Sequence, residues 1–489
     1  MTGTFISPLS AIVVIAVMSA LILGFGAYIS RRHVKNADDF LYAGRNVGLA
    51  LGTATLVAAW ITGNTTMAAP ELAYNVGLIG SLAISTMGLS LAMFSPLARR
   101  IKTLMPHGYS SGEFIRGRYG DLAWKLYLLL AVYYFLGFLV TQAMAGGILL
   151  QSLSGLDYKI GMLTITAVCT FYTLKGGLKA ILGTDFMLSL LILGTLFIVA
   201  AWSYWNFDVS EVYQRTLEMR PGTLNMVTAA GLMFLGGNFL FGCGEIFHSN
   251  MWWQRVYASS ESTAAKSFTY AGMIWFAVPI VSGSLAFIAI SQNYNIPQVN
   301  MIFPVVVSNI MGTGGAILVL VLIYAALAST VSSLLTGAAG LIVNDIYKGM
   351  INPQASDDTV RRYVRMTIVG LAVVTAAIAW NPYDSMYIVL LLTGPAVASM
   401  IWPIVFGIYT RETNQSSAFW AMLVGMVCGL AAYFWISPYS AAIFSAVTSG
   451  LVVWGLTSLK PDTQFQWKDL NNAGAAKAEP GAELQGELQ

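Results

Sequence analysis

The chain has 489 residues, 57% hydrophobic and only 10% charged, with 25 Lys and Arg against 22 Asp and Glu. That balance excludes an ordinary soluble globular protein, and a formal charge of +3 gives no basic surface for nucleic acid. Three histidines (His33, His107, His248) are scattered at the ends of apolar runs, and three cysteines (Cys169, Cys243, Cys428) lie inside runs without metal-type spacing. They form neither an enzyme's catalytic cluster nor a disulfide framework, so no enzyme and no cofactor are expected.

Apolar runs of about 20 residues, the length a helix needs to cross the hydrocarbon core, recur from end to end. In chain order they predict spans near 8–30, 47–70, 77–98, 126–152, 158–174, 181–203, 226–247, 268–291, 312–343, 366–381, 385–408, 415–434 and 438–457. The fold class is therefore all-α and polytopic, with about 13 transmembrane helices. The first run is not a cleavable signal, because no basic residue precedes it and it continues for a full span. The connection 99–125 contains "SSGEFIRGRYGDLAWK", read as a short surface helix, and "NDIYKGMINPQASDDTVRRYVR" is the other sizeable connection. Residues 1–458 form a single transmembrane domain, and the tail 459–489 loses its apolar residues and is expected to be disordered at its end.

Thirteen spans with the N-terminus outside leave only Lys159, Arg215 and Arg220 of the 25 basic residues on the outer side, and 22 within. The positive-inside rule then sets N-out and C-in, in a bacterial-type inner (plasma) membrane.

Two spans carry residues that disfavour a regular helix. The second reads "LVAAWITGNTTMAAPE", with Gly63 and Pro70; the seventh reads "LMFLGGNFLFGCGEIF", with Gly236, Gly237, Gly242 and Gly244. Glycine costs a helix roughly 1 kcal/mol relative to alanine. Unwound backbone at membrane depth is tolerated where it faces protein or a watery cavity. A pair of interrupted spans five helices apart is the pattern of transporters built from inverted repeats, here roughly 47–203 and 226–408. The other reading is that the glycines permit close helix packing.

The ninth span holds "AALASTVSSLLTGAAGLIVNDIYK", with five hydroxyls between Ser329 and Thr336. At about 100° per residue, Ser329, Thr330, Ser332, Ser333, Thr336, Ala326 and Gly337 share an arc of roughly 160°. Two readings stay open. One is a packing seam whose hydroxyls bond back to the preceding turn. The other is a site for a hard monovalent cation, completed by carbonyls of an unwound second span. Asp185, just inside the sixth span, is either an interfacial carboxylate near Lys179 or an anionic ligand beside Ser332 and Ser333.

Four motifs, "ADDFLYAGRNVG" (37–48), "YTLKGGLKAILGTD" (172–185), "QRVYAS" (254–259) and "AALASTVSSLL…NDIYK" (325–348), occur in that order between the right spans. At these residues the sequence resembles the sodium/solute symporter family, which includes bacterial proline, galactose and sialic acid cotransporters. The resemblance covers roughly 38–458 and implies a LeuT-type core, with spans 2–6 and 7–11 as inverted five-plus-five repeats. By position it implies a sodium site from the carbonyls of Ala58, Ile61 and Ala326 and the hydroxyls of Ser329 and Thr330. It also implies a second sodium site at Asp185, Ser329, Ser332 and Ser333. Members commonly carry glutamine three residues after that aspartate, where this chain has Leu188.

The function expected is sodium-coupled symport of a small polar organic solute by alternating access, with solute, sodium and the lipid bilayer as partners. A sodium-independent or proton-coupled carrier, and a solute-sensing receptor, are the alternatives. Solute is expected at midplane beside the breaks. The candidates are Trp60, Thr62 and Thr65, by family position, with Gln142, Asn238 and Glu245. Gln142 reads equally as an interhelical hydrogen bond. Glu245 reads as a ligand for a cationic solute or as a partner of His248 or a nearby arginine. No Arg or Lys is expected deep in a span to clamp a carboxylate, which favours neutral or cationic solutes.

Overall fold

The computed structural model describes residues 4–33, 43–225, 228–468 and 470. The start of the first motif, 37–42, and the tail end, 471–489, for which disorder is expected, lie outside the described residues.

Inside lipid each backbone N–H and C=O needs a partner within its own segment, and the apolar runs accordingly become helices. They are α1 (Pro8–His33), α2 (Leu49–Trp60), α3 (Ala69–Val76), α4 (Leu78–Leu104), α5 (Ser111–Ser154), α6 (Tyr158–Asn206) and α7 (Val209–Met219). Next come α8 (Ala229–His248), α9 (Asn250–Tyr257), α10 (Glu261–Ser291), α11 (Ile302–Leu341) and α12 (Asp357–Ile378). Last are α13 (Met386–Leu391), α14 (Gly394–Ser399), α15 (Ile401–Tyr409), α16 (Ser417–Trp435) and α17 (Ala441–Leu459). Among the described residues ten helices are long and apolar enough to cross a membrane, which makes this a multi-pass membrane protein.

Gly120 (φ 81°) divides the expected surface helix at the start of α5 from its apolar remainder, and Gly312 (φ 61°) divides α11 at the expected start of the ninth span. One connection differs from expectation. Residues 175–180, read as the loop between spans five and six, are helical, but α6 (Tyr158–Asn206) turns back on itself: the Tyr172 hydroxyl bonds that of Thr184, twelve residues on and about 18 Å away along a straight helix. That stretch has no proline, and its two glycines cost only about 1 kcal/mol each. After α17 the chain also stays packed as far as Leu470: the Arg118 guanidinium lies 3.9 Å from the Phe465 ring, and Arg411 Nε donates to the Phe465 carbonyl at 2.9 Å.

The helices around the break in the second span set the site. α4 lies along α8 and α10, α2 packs on α10 and α6, and α11 crosses both α5 and α6. The second span does break, at Ile61 (φ −79°, ψ 102°), between α2 and a short turn leading into α3. Pro70 sits in the first turn of α3, where its missing N–H costs nothing.

The seventh span corrects the sequence reading. Its glycine cluster does not unwind: α8 is continuous through residue 248, and the chain opens at Ser249 (ψ 123°) before α9. The glycines serve close approach instead. A Cβ on Gly237 would come within 2.3 Å of the Tyr439 carbonyl oxygen, and one on Gly244 within 2.5 Å of the Val397 backbone. Neither backbone can swing aside as a side chain would. Gly244→Ala should therefore lower stability by about 1–3 kcal/mol, read as a drop in the thermal unfolding midpoint in detergent. An unchanged midpoint would restore the unwinding role.

Candidate functional site

The break at Ile61 is held open by partners distant in sequence. In a continuing helix the Thr62 N–H would bond the Ala58 carbonyl and the Gly63 N–H the Ala59 carbonyl. Instead Thr62 N donates to Thr65 Oγ1 at 3.2 Å, and Thr65 N returns a bond to Thr62 Oγ1 at 3.1 Å. This reciprocal pair works as a capping box does. Gly63 N donates to Gln142 Oε1 at 3.1 Å, and the Trp60 carbonyl accepts from Trp275 Nε1 at 2.7 Å. Carbonyls at the end of α2 are thus released from the helix ladder.

The hydroxyl face of α11 meets them. Ser329, Thr330, Ser332, Ser333 and Thr336 are all buried, turned into protein and away from lipid. Thr330 Oγ1 lies 3.1 Å from the Ala59 carbonyl oxygen and 3.5 Å from that of Ile61, donating toward both. Ala58 is buried one residue earlier, and Ala326 is buried one turn before Thr330 on α11. Three oxygens at this spacing suit a hard cation. Ligands around an octahedral ion with bonds of about 2.4 Å stand roughly 3.4 Å apart.

Asp185, on α6, is wholly buried. Its Oδ1 accepts from Ser329 Oγ at 2.6 Å and its Oδ2 from Thr55 Oγ1 at 2.5 Å. Its ion-pair partner is Arg255 of α9, with Nη2 at 3.4 Å. The same Nη2 donates to Ser333 Oγ at 2.8 Å, and Nη1 donates to the Met251 carbonyl at 3.0 Å. Two expectations change here. Asp185 is no interfacial carboxylate, and a basic group does lie deep in the bundle: Arg255 of "QRVYAS", brought inward where the chain re-enters helix after Ser249. The polar support absent at Leu188 comes from Thr55. Ser332 Oγ bonds back to the Ser329 carbonyl at 2.9 Å, the behaviour of a packing hydroxyl.

Of the solute candidates, the structure groups Trp60 with Glu245 and Thr62 with Thr65. Trp60 Nε1 donates to Glu245 Oε1 at 2.9 Å, so Glu245 pairs with an indole and not with His248 or an arginine. His248 turns Nδ1 to its own helix, 2.6 Å from the Gly244 carbonyl oxygen. Gln142 supports the break. Asn238 stands apart, seven residues before Glu245 on α8, bonded to Tyr387 and, at 2.9 Å, to the Phe234 carbonyl. Sequence reasoning missed Trp252, Trp275 and Tyr134. Trp275 stacks on Trp60 at 4.5 Å between ring centroids, Trp252 meets it edge-on at 5.8 Å, and the Tyr134 ring lies 4.7 Å from that of His248. For Trp252 the available signal was "MWWQR" (251–255), paired indoles just before Arg255 in what reads as a connection between spans seven and eight; nothing local marked Trp275 or Tyr134.

The pattern described as "Sodium:solute symporter family" matches residues 40–425. The chain belongs to the sodium:solute symporter family. Relatives of this chain include a urea active transporter of Saccharomyces cerevisiae, 26% identical over 464 residues, which cover 85% of this chain and 63% of that protein. The chain thus spans less than two thirds of the yeast relative's length. A urea-proton symporter of Oryza sativa subsp. japonica is 23% identical over 489 residues, covering 89% of this chain and 67% of the relative. Among solved structures, a Na+-coupled sialic acid symporter in a substrate-bound, outward-open state matches with a TM-score of 0.79 at 20% identity, covering 93% of this chain and 99% of the other. At that identity the likeness shows a shared fold.

Proposed function

We propose that the chain couples entry of one sodium ion to uptake of a small polar organic solute by alternating access. The observation that carries the proposal is Thr330 of α11 lying against the Ala59 and Ile61 carbonyls where α2 ends. In this reading the Thr330 hydroxyl keeps its hydrogen but turns it away from the carbonyls, and sodium binds the hydroxyl oxygens of Ser329 and Thr330 with the carbonyls of Ala58, Ile61 and Ala326. It thereby joins the broken span to α11. An ion shifts a conformational equilibrium only by binding its two states unequally, and a site assembled from two moving elements does so.

A second sodium at Asp185, Ser332 and Ser333 fits less well. Arg255 already supplies the positive charge there, and a second cation beside a buried guanidinium would be repelled. The proposal is one ion per cycle. It also takes thirteen crossings: the ten apolar helices, the broken second span, the first part of α6, and α12. These are arranged as five-plus-five inverted repeats, N-terminus outside and C-terminus inside, in a plasma membrane. The two breaks, at Ile61 and Ser249, support the repeat by their corresponding places.

The test is uptake by proteoliposomes. Accumulation of labelled urea above equilibrium is expected only with an inward sodium gradient, reinforced by about 2.3 kcal/mol per charge for each 100 mV of inside-negative potential. Equal accumulation without the gradient would leave facilitation. Because the rice relative's name pairs urea with a proton, a parallel arm applies a proton gradient alone. Accumulation in that arm would reassign the coupling ion.

A further inference from the structure

A cavity of about 330 Å³ lies between the end of α6, the short helix α7 and α10. That is the size of a small-ligand site. None of the side chains around it is charged, so it suits neither an ion nor a strongly polar solute. α7 forms its roof. Val209, Val212, Tyr213 and Thr216 fall at i, i+3, i+4 and i+7, one stripe of the helix, and all four line the cavity. Glu211 and Arg215, on the exposed side, pair with each other at 2.8 Å. The roof is pinned at both ends. At its start Asp208 Oδ1 accepts from Ser210 N at 2.7 Å, and at its close Arg220 Nη2 donates to the Tyr74 hydroxyl of α3 at 2.9 Å. An apolar stripe fixed over open space leaves apolar surface for a guest to cover.

Membrane geometry names the guest. Trp202, Tyr204 and Trp205 are exposed where the apolar run of α6 ends, the position of the aromatic belt at headgroup level. The mouth of the cavity lies there too, because Tyr204, Val209 and Tyr213 line it and are exposed. Along α10 the cavity runs from Ile288 to Val281, about 10 Å at 1.5 Å per residue. The hydrocarbon of one leaflet is about 15 Å deep, so the cavity extends from the headgroup level partway to the midplane. Three serine and threonine hydroxyls surround it. Ser284 Oγ donates to the Val281 carbonyl at 2.8 Å and Thr216 Oγ1 to the Val212 carbonyl at 2.7 Å. Ser203 Oγ is buried and has no partner among the described residues. Ser203 sits three residues before the end of α6, roughly 5 Å below it, at the level of a phospholipid's ester groups. A buried hydroxyl needs an acceptor, and an ester carbonyl is one.

We infer that this cavity is a binding site for one acyl chain of a diester phospholipid from the surrounding leaflet, with the ester carbonyl accepting from Ser203. The site reaches the moving parts through α10. Val281 and Leu285 line the cavity, and Ser282 of the same turn donates to the Thr65 carbonyl in the broken second span at 3.0 Å. A chain in place braces α10 against α6 and stabilises this arrangement by mass action. The inference stands apart from which ion or solute is carried.

The test uses the purified full chain in nanodiscs that contain a diester phosphatidylethanolamine with a diazirine on the upper part of one acyl chain. Labelling mapped by mass spectrometry should concentrate on 199–216 and 281–288, about tenfold above the lipid-facing side of α16, the ratio that a preference of ~1.4 kcal/mol gives. Ala200→Trp fills the cavity and should bring labelling down to the α16 level, whereas Val427→Trp, on the exposed side of α16, should leave it unchanged. The wild type should favour the diester over the matching diether lipid by about two- to tenfold, the range for one hydrogen bond, and Ser203→Ala should erase that preference. Thermal midpoints in detergent show whether each variant is folded, and the rise on adding phospholipid should shrink in Ala200→Trp. Even labelling of every lipid-facing helix would mean ordinary boundary lipid and overturn the inference. So would cavity labelling that survives Ala200→Trp, or equal labelling of the wild type by diester and diether lipids.

Discussion

Replacing Arg255 by methionine should destabilise the protein more than any other single change considered, by about 3–5 kcal/mol, the usual cost of removing one partner from a buried ion pair. Folded proteins hold only about 5–15 kcal/mol in reserve, so most of the protein should fail to fold or to survive extraction. The reason is local. Asp185 would keep its bonds from Thr55 and Ser329 but lose the charge that compensates it in a site with no solvent access. Adding Asp185→Asn to the same chain should recover most of the loss, because a neutral amide needs no counter-charge. Thermal midpoint and the yield of monodisperse protein read both variants. A stable single variant, or no recovery in the double, would show that the pair is not what keeps this charge in the bundle. Any of the single variant that does fold should gain sodium-dependent stability beyond the wild type, since the oxygens of Asp185, Ser329 and Ser333 are then released to a mobile cation.

The second large effect concerns Thr330. Thr330→Val keeps the side chain's shape and deletes its oxygen, and should raise the sodium concentration for half-maximal uptake by about tenfold or more, the effect of losing one contact worth roughly 1.5–3 kcal/mol to a charged group. Ser329→Ala should act in the same direction but less cleanly, because its hydroxyl also donates to Asp185. Solute KM measured at saturating sodium should move little in Thr330→Val. A rise in solute KM with unchanged sodium dependence would place Thr330 at the solute and not at the ion.

Much of this was legible in the residues. The class, the order of the spans and the inward turn of the hydroxyl face follow from apolar run length and from one helical wheel. The symporter family was legible from four motifs. The break in the second span was also visible, but not its position: the composition around Gly63 and Pro70 marked the region, and the chain opens at Ile61 because Thr65, Gln142 and Trp275 take over groups the helix would otherwise use. Those partners lie up to 215 residues away in sequence, beyond any local signal. The seventh span misled for a complementary reason. Glycine serves both unwinding and close packing, and only the backbone at Tyr439 and Val397 decides between them. Arg255 was hidden by the same displaced break. Counted along a regular helix it falls at the membrane edge, whereas the turn at Ser249 carries it in to Asp185.

The central claim is that an alkali ion binds where Thr330 meets the opened end of α2, and the most direct test is a pair of high-resolution structures, one in saturating sodium and one in choline. In sodium, density for a single ion is expected among Thr330 Oγ1, Ser329 Oγ and the carbonyls of Ala58, Ile61 and Ala326, with the hydroxyl turned from donating to the carbonyls to coordinating beside them. If Thr330 is still hydrogen-bonded to Ala59 and Ile61 in sodium, or if the ion lies at Asp185 in place of Arg255, the account is wrong about where coupling begins.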